Sequence, residues 1–186
     1  MSLSISFAEF RAAAAPADPI RERALLFLYR ALEDFAVELK ASPAELAILD
    51  VSPDARGFVD ALARWGARVR HTTAAELASL RADDRFDVVV LDRVLGHAHN
   101  DDLLASVVSI LDATGLVVAV VPRSRYTPGK LETRFGRHNL VVHRMMNAGF
   151  VLHAPGPLRS FDADFANIVP HWMASGWLVA LRRKRA

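Results

Sequence analysis

The residues best placed to do chemistry cluster after one apolar run. Phe86-Asp87-Val88-Val89-Val90-Leu91 leads directly into Asp92, Arg93 and His97. A carboxylate, a guanidinium and an imidazole would then share the end of a buried strand. An imidazole titrates near neutrality, so His97 could act as a general base on a substrate hydroxyl. The alternative is a loop histidine packed against the next helix. His97 and His99 with Asp101 or Asp102 have poor ligand spacing, and no metal site is expected. A second carboxylate, Asp50, ends the run Leu46 to Val51. At the carboxyl edge of an open α/β sheet it could accept hydrogen bonds from a ribose; equally, it could cap the helix that follows. Arg123, Arg125 and Lys130 could meet an anionic substrate or line a solvated loop. Ser124 and Ser160 lack the strand-turn-helix setting of a hydrolase nucleophile. With no cysteine in the chain, disulfides, thiolate metal sites and cysteine nucleophiles are excluded.

These residues need elements to position them. Asp18-Pro19 is a helix start, and apolar residues from Ile20 to Leu39 recur at helical spacing. The stripe is broad and faces either the sheet or a second copy of the chain, which makes a homodimer or protein partner through residues 20–39 an expectation. Residues 1–18 read as a loose arm. Strands are expected at Leu46 to Val51, Ala67 to His71, Phe86 to Leu91 and Leu116 to Val121. Helices are expected at Asp54 to Trp65, Ala74 to Leu80 and Asp101 to Leu111, with Thr73 and Glu76 forming a capping box. Beyond a basic, turn-rich loop at Pro122 to Gly129, a helix is expected from Arg137 to Asn147. Short strands at Val151 to His153 and Trp177 to Leu181 follow, with a Pro/Gly-rich loop over 154–164. Continuous apolar strands alternating with helices predict a mostly parallel, Rossmann-like sheet covered on both faces, with antiparallel edge strands at the C-terminal end.

Composition sets the outer limits. The chain has 186 residues, 52% hydrophobic and 24% charged, which suits one α/β domain. Its net charge is +2. The basic block Arg182-Arg183-Lys184-Arg185 has no interleaved aromatics, so neither nucleic acid nor a membrane is an expected partner. The apolar runs are far below the roughly 20 residues that cross a bilayer. A cytoplasmic location is the expectation.

From Leu49 to Phe150 the chain resembles the class I S-adenosylmethionine-dependent methyltransferases. Phe86-Asp87-Val88-Val89-Val90 with Val94-Leu95-Gly96-His97 is similar to that family's fourth strand and following loop. Leu103-Leu104 through Gly115-Leu116-Val117-Val118 resembles its next helix and fifth strand, and Met145 to Phe150 its late helix end. Two alignments of the first half are open. In one, Leu49 to Gly57 stands where the family has its first strand and glycine loop, with Ser52, Asp54 and Arg56 in place of glycines. In the other, which spaces the downstream segments more naturally, Asp50-Val51-Ser52-Pro53 ends the second strand. Asp50 then holds the ribose and Thr73 meets the adenine amine. The resemblance implies S-adenosylmethionine as cofactor, contacted by Asp50, Ser52, Thr73 and Asp92. It implies a small-molecule substrate near Arg93, Arg123 and Arg125, with His97 catalytic. In neither alignment is there a glycine loop, which puts that cofactor in doubt: glycines let the backbone approach the ligand. Two functions are therefore expected as alternatives: methyl transfer to a small molecule, or a non-catalytic domain of the same fold serving as an interaction or scaffold subunit.

Overall fold

The computed structural model describes residues 5–16, 19–53, 57–80, 83–95, 100–122, 128–150 and 174–184. Two helices come first. Helix α1 spans Phe7–Ala14 and opens on a capping box in which Ser6 and Glu9 satisfy each other's backbone N–H groups. Phe10 is fully buried, and both Phe7 and Phe10 lie against the Tyr29 ring, at 5.6 and 5.4 Å. Over these residues the expected loose arm is instead a docked helix. A good cap, alanines of high helix propensity and aromatic anchors hold it without a long apolar stripe.

Helix α2 runs over Pro19–Leu39. Its stripe, including Leu25, Leu28, Leu32 and Phe35, is buried in the chain's own core against Ile48, Val88, Val90 and Val118. This overturns the expectation that residues 20–39 form a dimer surface. The large apolar side chains that α2 exposes are Ile20 and Val37 alone among the described residues.

Among the described residues six strands form one sheet: β1 (Ala47–Val51), β2 (Arg68–Thr72), β3 (Phe86–Asp92), β4 (Leu111–Pro122), β5 (Leu140–Phe150) and β6 (Ala174–Arg183). Their order is β2-β1-β3-β4-β6-β5. The β2, β1, β3 and β4 neighbours are parallel, while β6 runs antiparallel to both β4 and β5. Alternate residues of the apolar strands feed two cores. Ile48, Val88, Val90 and Val118 face α2 and α3 (Val59–Trp65); Leu49, Val89, Leu91 and Val117 face α5 (Asn100–Ile110) and α6 (Pro128–Arg137). The Rossmann-like architecture expected from the strand pattern is the observed one.

Two segments depart from expectation. Leu140–Phe150 is a strand, not the helix expected over Arg137 to Asn147. Its pairing with β6 shifts register at three places between Val142 and Phe150. Such bulges break the strict alternation that marks a strand in sequence. Helix α6 replaces the end of the expected loop and the start of that helix; only Leu131 and Phe135 on it are buried, a two-residue stripe. Elsewhere the boundaries moved by a few residues: α3 begins at Val59 and α4 covers Ala74–Leu77. The expected strand at Val151 to His153 and the loop 154–164 lie outside the described residues.

Candidate functional site

The carboxyl ends of β1, β2 and β3 bring together Asp50, Ser52, His71 and Asp92. The β1 and β3 backbones pair directly, Asp50 opposite Val90. In a doubly wound sheet the first strand lies beside the fourth. With β3 matching the family's fourth strand, Ala47–Val51 takes the place of the first. The alignment that put Asp50 on the second strand is thereby overturned, and with it the adenine role of Thr73. Thr73 instead caps α4: its hydroxyl hydrogen-bonds the Glu76 carboxylate at 3.0 Å.

Asp50 is fully buried. Its Oδ2 accepts a hydrogen bond from the Ser52 hydroxyl at 3.1 Å, while its buried Oδ1 has no hydrogen-bond partner. Burial pushes its pKa up to about 6; hydrogen bonds from Ser52 and the Phe58 backbone pull the other way, Asp92 adds a smaller upward push and His71 a smaller downward one. Ser52 is also fully buried, and its Oγ lies 3.0 Å from Nε2 of the half-buried His71. Gly57 closes over this pair. A Cβ there would lie 2.2 Å from Asp50 Oδ2 and 2.5 Å from Ser52 Oγ, so the close approach requires glycine.

Asp92 ends β3, likewise fully buried. Its Oδ2 is hydrogen-bonded by Arg21 of α2. The other nitrogen of that guanidinium donates to the Gly57 carbonyl at 2.5 Å, and its carbon lies 3.9 Å from the centroid of the Phe58 ring. Arg21 thus bridges the turn after β1 to the end of β3. Arg93 is half exposed, adopts φ +57° and places Nε 3.4 Å from Asp92 Oδ1. His97, Arg123 and Arg125 lie outside the described residues.

The sequence reading missed Arg21 and His71. Arg21 pairs across 71 residues, which no local spacing reveals. One signal existed: Arg21 is three and four residues before Ala24 and Leu25, so it shares the buried face of α2. Among the described residues no group of three or more His, Asp or Glu could hold a metal ion, and no helix is long and apolar enough to cross a membrane.

The sheet can be set beside known folds. No family model matches the chain, and no curated protein matches it in sequence. Solved structures do match. One is the Burkholderia thailandensis 1,6-didemethyltoxoflavin-N1-methyltransferase, with its substrate and S-adenosylhomocysteine bound: TM-score 0.55, 14% identity, 96% of this chain and 84% of that one covered. A TehB-like S-adenosylmethionine-dependent methyltransferase from Corynebacterium glutamicum gives TM-score 0.51 and 16% identity over 84% of this chain and 96% of that one. The fold is that of a class I methyltransferase. A Streptococcus mutans protein assigned as an S-adenosylmethionine-dependent methyltransferase matches at TM-score 0.55 and 14% identity over 81% of this chain. The chain spans 48% of that protein's length, about half. Identities this low speak for the fold and leave the chemistry to the site.

Proposed function

We propose that this methyltransferase-fold chain does not transfer methyl groups and serves as an interaction or scaffold subunit. One observation carries the reading. Ligands of open α/β sheets bind in the crevice where the strand order reverses, here between β1 and β3. Arg21 spans that crevice, anchored on the Gly57 carbonyl and Asp92 and stacked on Phe58.

The neighbouring groups support it. In dinucleotide-binding sheets an acidic side chain about 20 residues after the glycine turn takes the ribose hydroxyls. The last residues of β2 here are Arg70, His71 and Thr72. Gly57 lies against Asp50, and the Ser52 hydroxyl is engaged by Asp50 and His71. The described residues do not fit S-adenosylmethionine as the resemblance implies it.

A second reading, methyl transfer to a small molecule, is favoured by the buried Oδ1 of Asp50, an acceptor with no hydrogen-bond partner. Calorimetric titration of the full chain with S-adenosylhomocysteine separates the two. The scaffold reading expects no saturable heat up to millimolar ligand. Sub-millimolar binding abolished by Asp50→Ala would overturn it in favour of the enzyme.

A further inference from the structure

Asp50, Ser52 and His71 form an unbroken hydrogen-bonded chain from the base of the crevice to the protein surface. The two links measure 3.1 and 3.0 Å. The inner two residues are fully buried and the outer one half-buried. Ser52 hydroxyl is both donor and acceptor, so it can give its proton to one neighbour while taking one from the other. The Ser52 N–H also donates to the Thr72 carbonyl at 3.2 Å, which holds the ends of β1 and β2 together around the chain.

We propose that Asp50, Ser52 and His71 act as one proton-exchanging unit that sets, from the surface imidazole, how tightly Arg21 closes the crevice. The charged groups around it define the sign. Asp50 faces Asp92 of β3, His71 of β2 and the Phe58 backbone N–H before α3. Arg21 of α2 reaches the unit through Asp92 and Gly57, and Glu76 of α4 lies on the His71 side. Asp50 faces the Asp92 that pairs Arg21, and Gly57, whose carbonyl Arg21 holds, lies against Asp50, so the charge on Asp50 reaches Arg21 through these two neighbours. When Asp50 takes up a proton through Ser52, Asp92 holds Arg21 without the second charge, and the closure slackens. Burial raises the pKa of Asp50 to about 6, so the exchange at Asp50 falls within reach of neutral pH.

The proposal shares the Arg21 closure with the proposed function but needs no cofactor, so a proton measurement and a ligand titration can fail separately. The test is an NMR pH titration of the full chain, following the Asp50 carboxyl carbon, the His71 ring and the Arg21 Nε. Coupling predicts that the His71 ring and the Arg21 signal both move at the Asp50 midpoint. Ser52→Ala removes the hydrogen bond that pulls Asp50 down, so its midpoint rises and the His71 ring no longer responds at that midpoint. If Ser52→Ala does not fold, His71→Gln serves: the Asp50 midpoint rises and Arg21 follows. A His71 ring and an Arg21 signal that both ignore the Asp50 midpoint in the wild type, or an Asp50 midpoint unmoved by the variant that folds, would overturn the proposal.

Discussion

The two ends of α2 place arginines and carboxylates in contact under opposite conditions. At its start, Arg21 reaches a carboxylate with no solvent exposure at the end of β3. Toward its end, Asp34 meets Arg144 of β5 at 3.1 Å, with both side chains about half exposed. One turn beyond Asp34, Glu38 pairs with Arg182 of β6 at intermediate exposure: the arginine is mostly covered and stacked 4.4 Å from the Phe35 ring, but the carboxylate is half exposed. Water screens one end and is kept from the other. An exposed pair contributes from nothing to about 1 kcal/mol, whereas losing one partner of a buried pair strands a charge. The apolar stripe of α2 packs on the sheet, β3 included; to β3 the helix adds a buried ion pair, whereas its pairs with β5 and β6 reach solvent.

The largest expected effect follows from that contrast. Among the described residues, Arg21→Ala leaves the buried Asp92 opposite the half-exposed Arg93 alone. Urea unfolding near neutral pH should register a loss of about 3 to 5 kcal/mol, the range for breaking buried pairs. A loss below about 1 kcal/mol would put Arg21 in the same class as the exposed pair and dissolve the comparison.

Next in size is Asp50→Asn. The folded pKa of Asp50 is raised from 3.8 to about 6. Its proton is held more tightly in the folded state, so its stabilising contribution is complete below pH 3.8 and is lost as pH rises through about 6. At 1.36 kcal/mol per pKa unit the swing is about 3 kcal/mol, an order of magnitude for a buried group. The neutral amide should remove most of it, leaving the variant more stable than wild type at pH 7.5 by up to about 3 kcal/mol and level with it near pH 4. Parallel stability-versus-pH curves for the two proteins would refute this.

What the sequence disclosed follows from the range of each interaction. The strands β1, β3 and β4 were legible because a strand buried on both faces is a continuous apolar run, as in Val88-Val89-Val90. The Thr73 cap was legible because it is completed within four residues. Strand β5 was hidden by its bulges, and α1 by the shortness of its apolar surface. At the site, Asp50 and Asp92 were legible as carboxylates ending apolar strands. Arg21 and His71 were not, because their partners come from across the sheet, 71 and 19 residues away. The neighbour of β1 was equally invisible: it depends on strand order, and strand order is what decided between the two alignments.

The smallest effect tests the other end of the comparison. Arg144 lies on the edge strand β5, and its Nη2 donates to Asp34 across 110 residues of sequence. Sequence distance alone would suggest a strong tertiary tie. Exposure argues the reverse: 44% of the Arg144 side chain and 60% of the Asp34 side chain remain in contact with solvent, so hydration lost on pairing is slight and Coulomb attraction is weak. Arg144→Ala should therefore shift the urea midpoint by an amount equivalent to about 0.5 kcal/mol or less, and that shift should shrink further at high salt, where an exposed pair is screened. The Arg21→Ala loss should change far less between the same two salt concentrations, because Asp92 is closed off from the counterions. Equal salt sensitivity at the two ends would mean that the crevice is open to water and that Arg21 does not seal it.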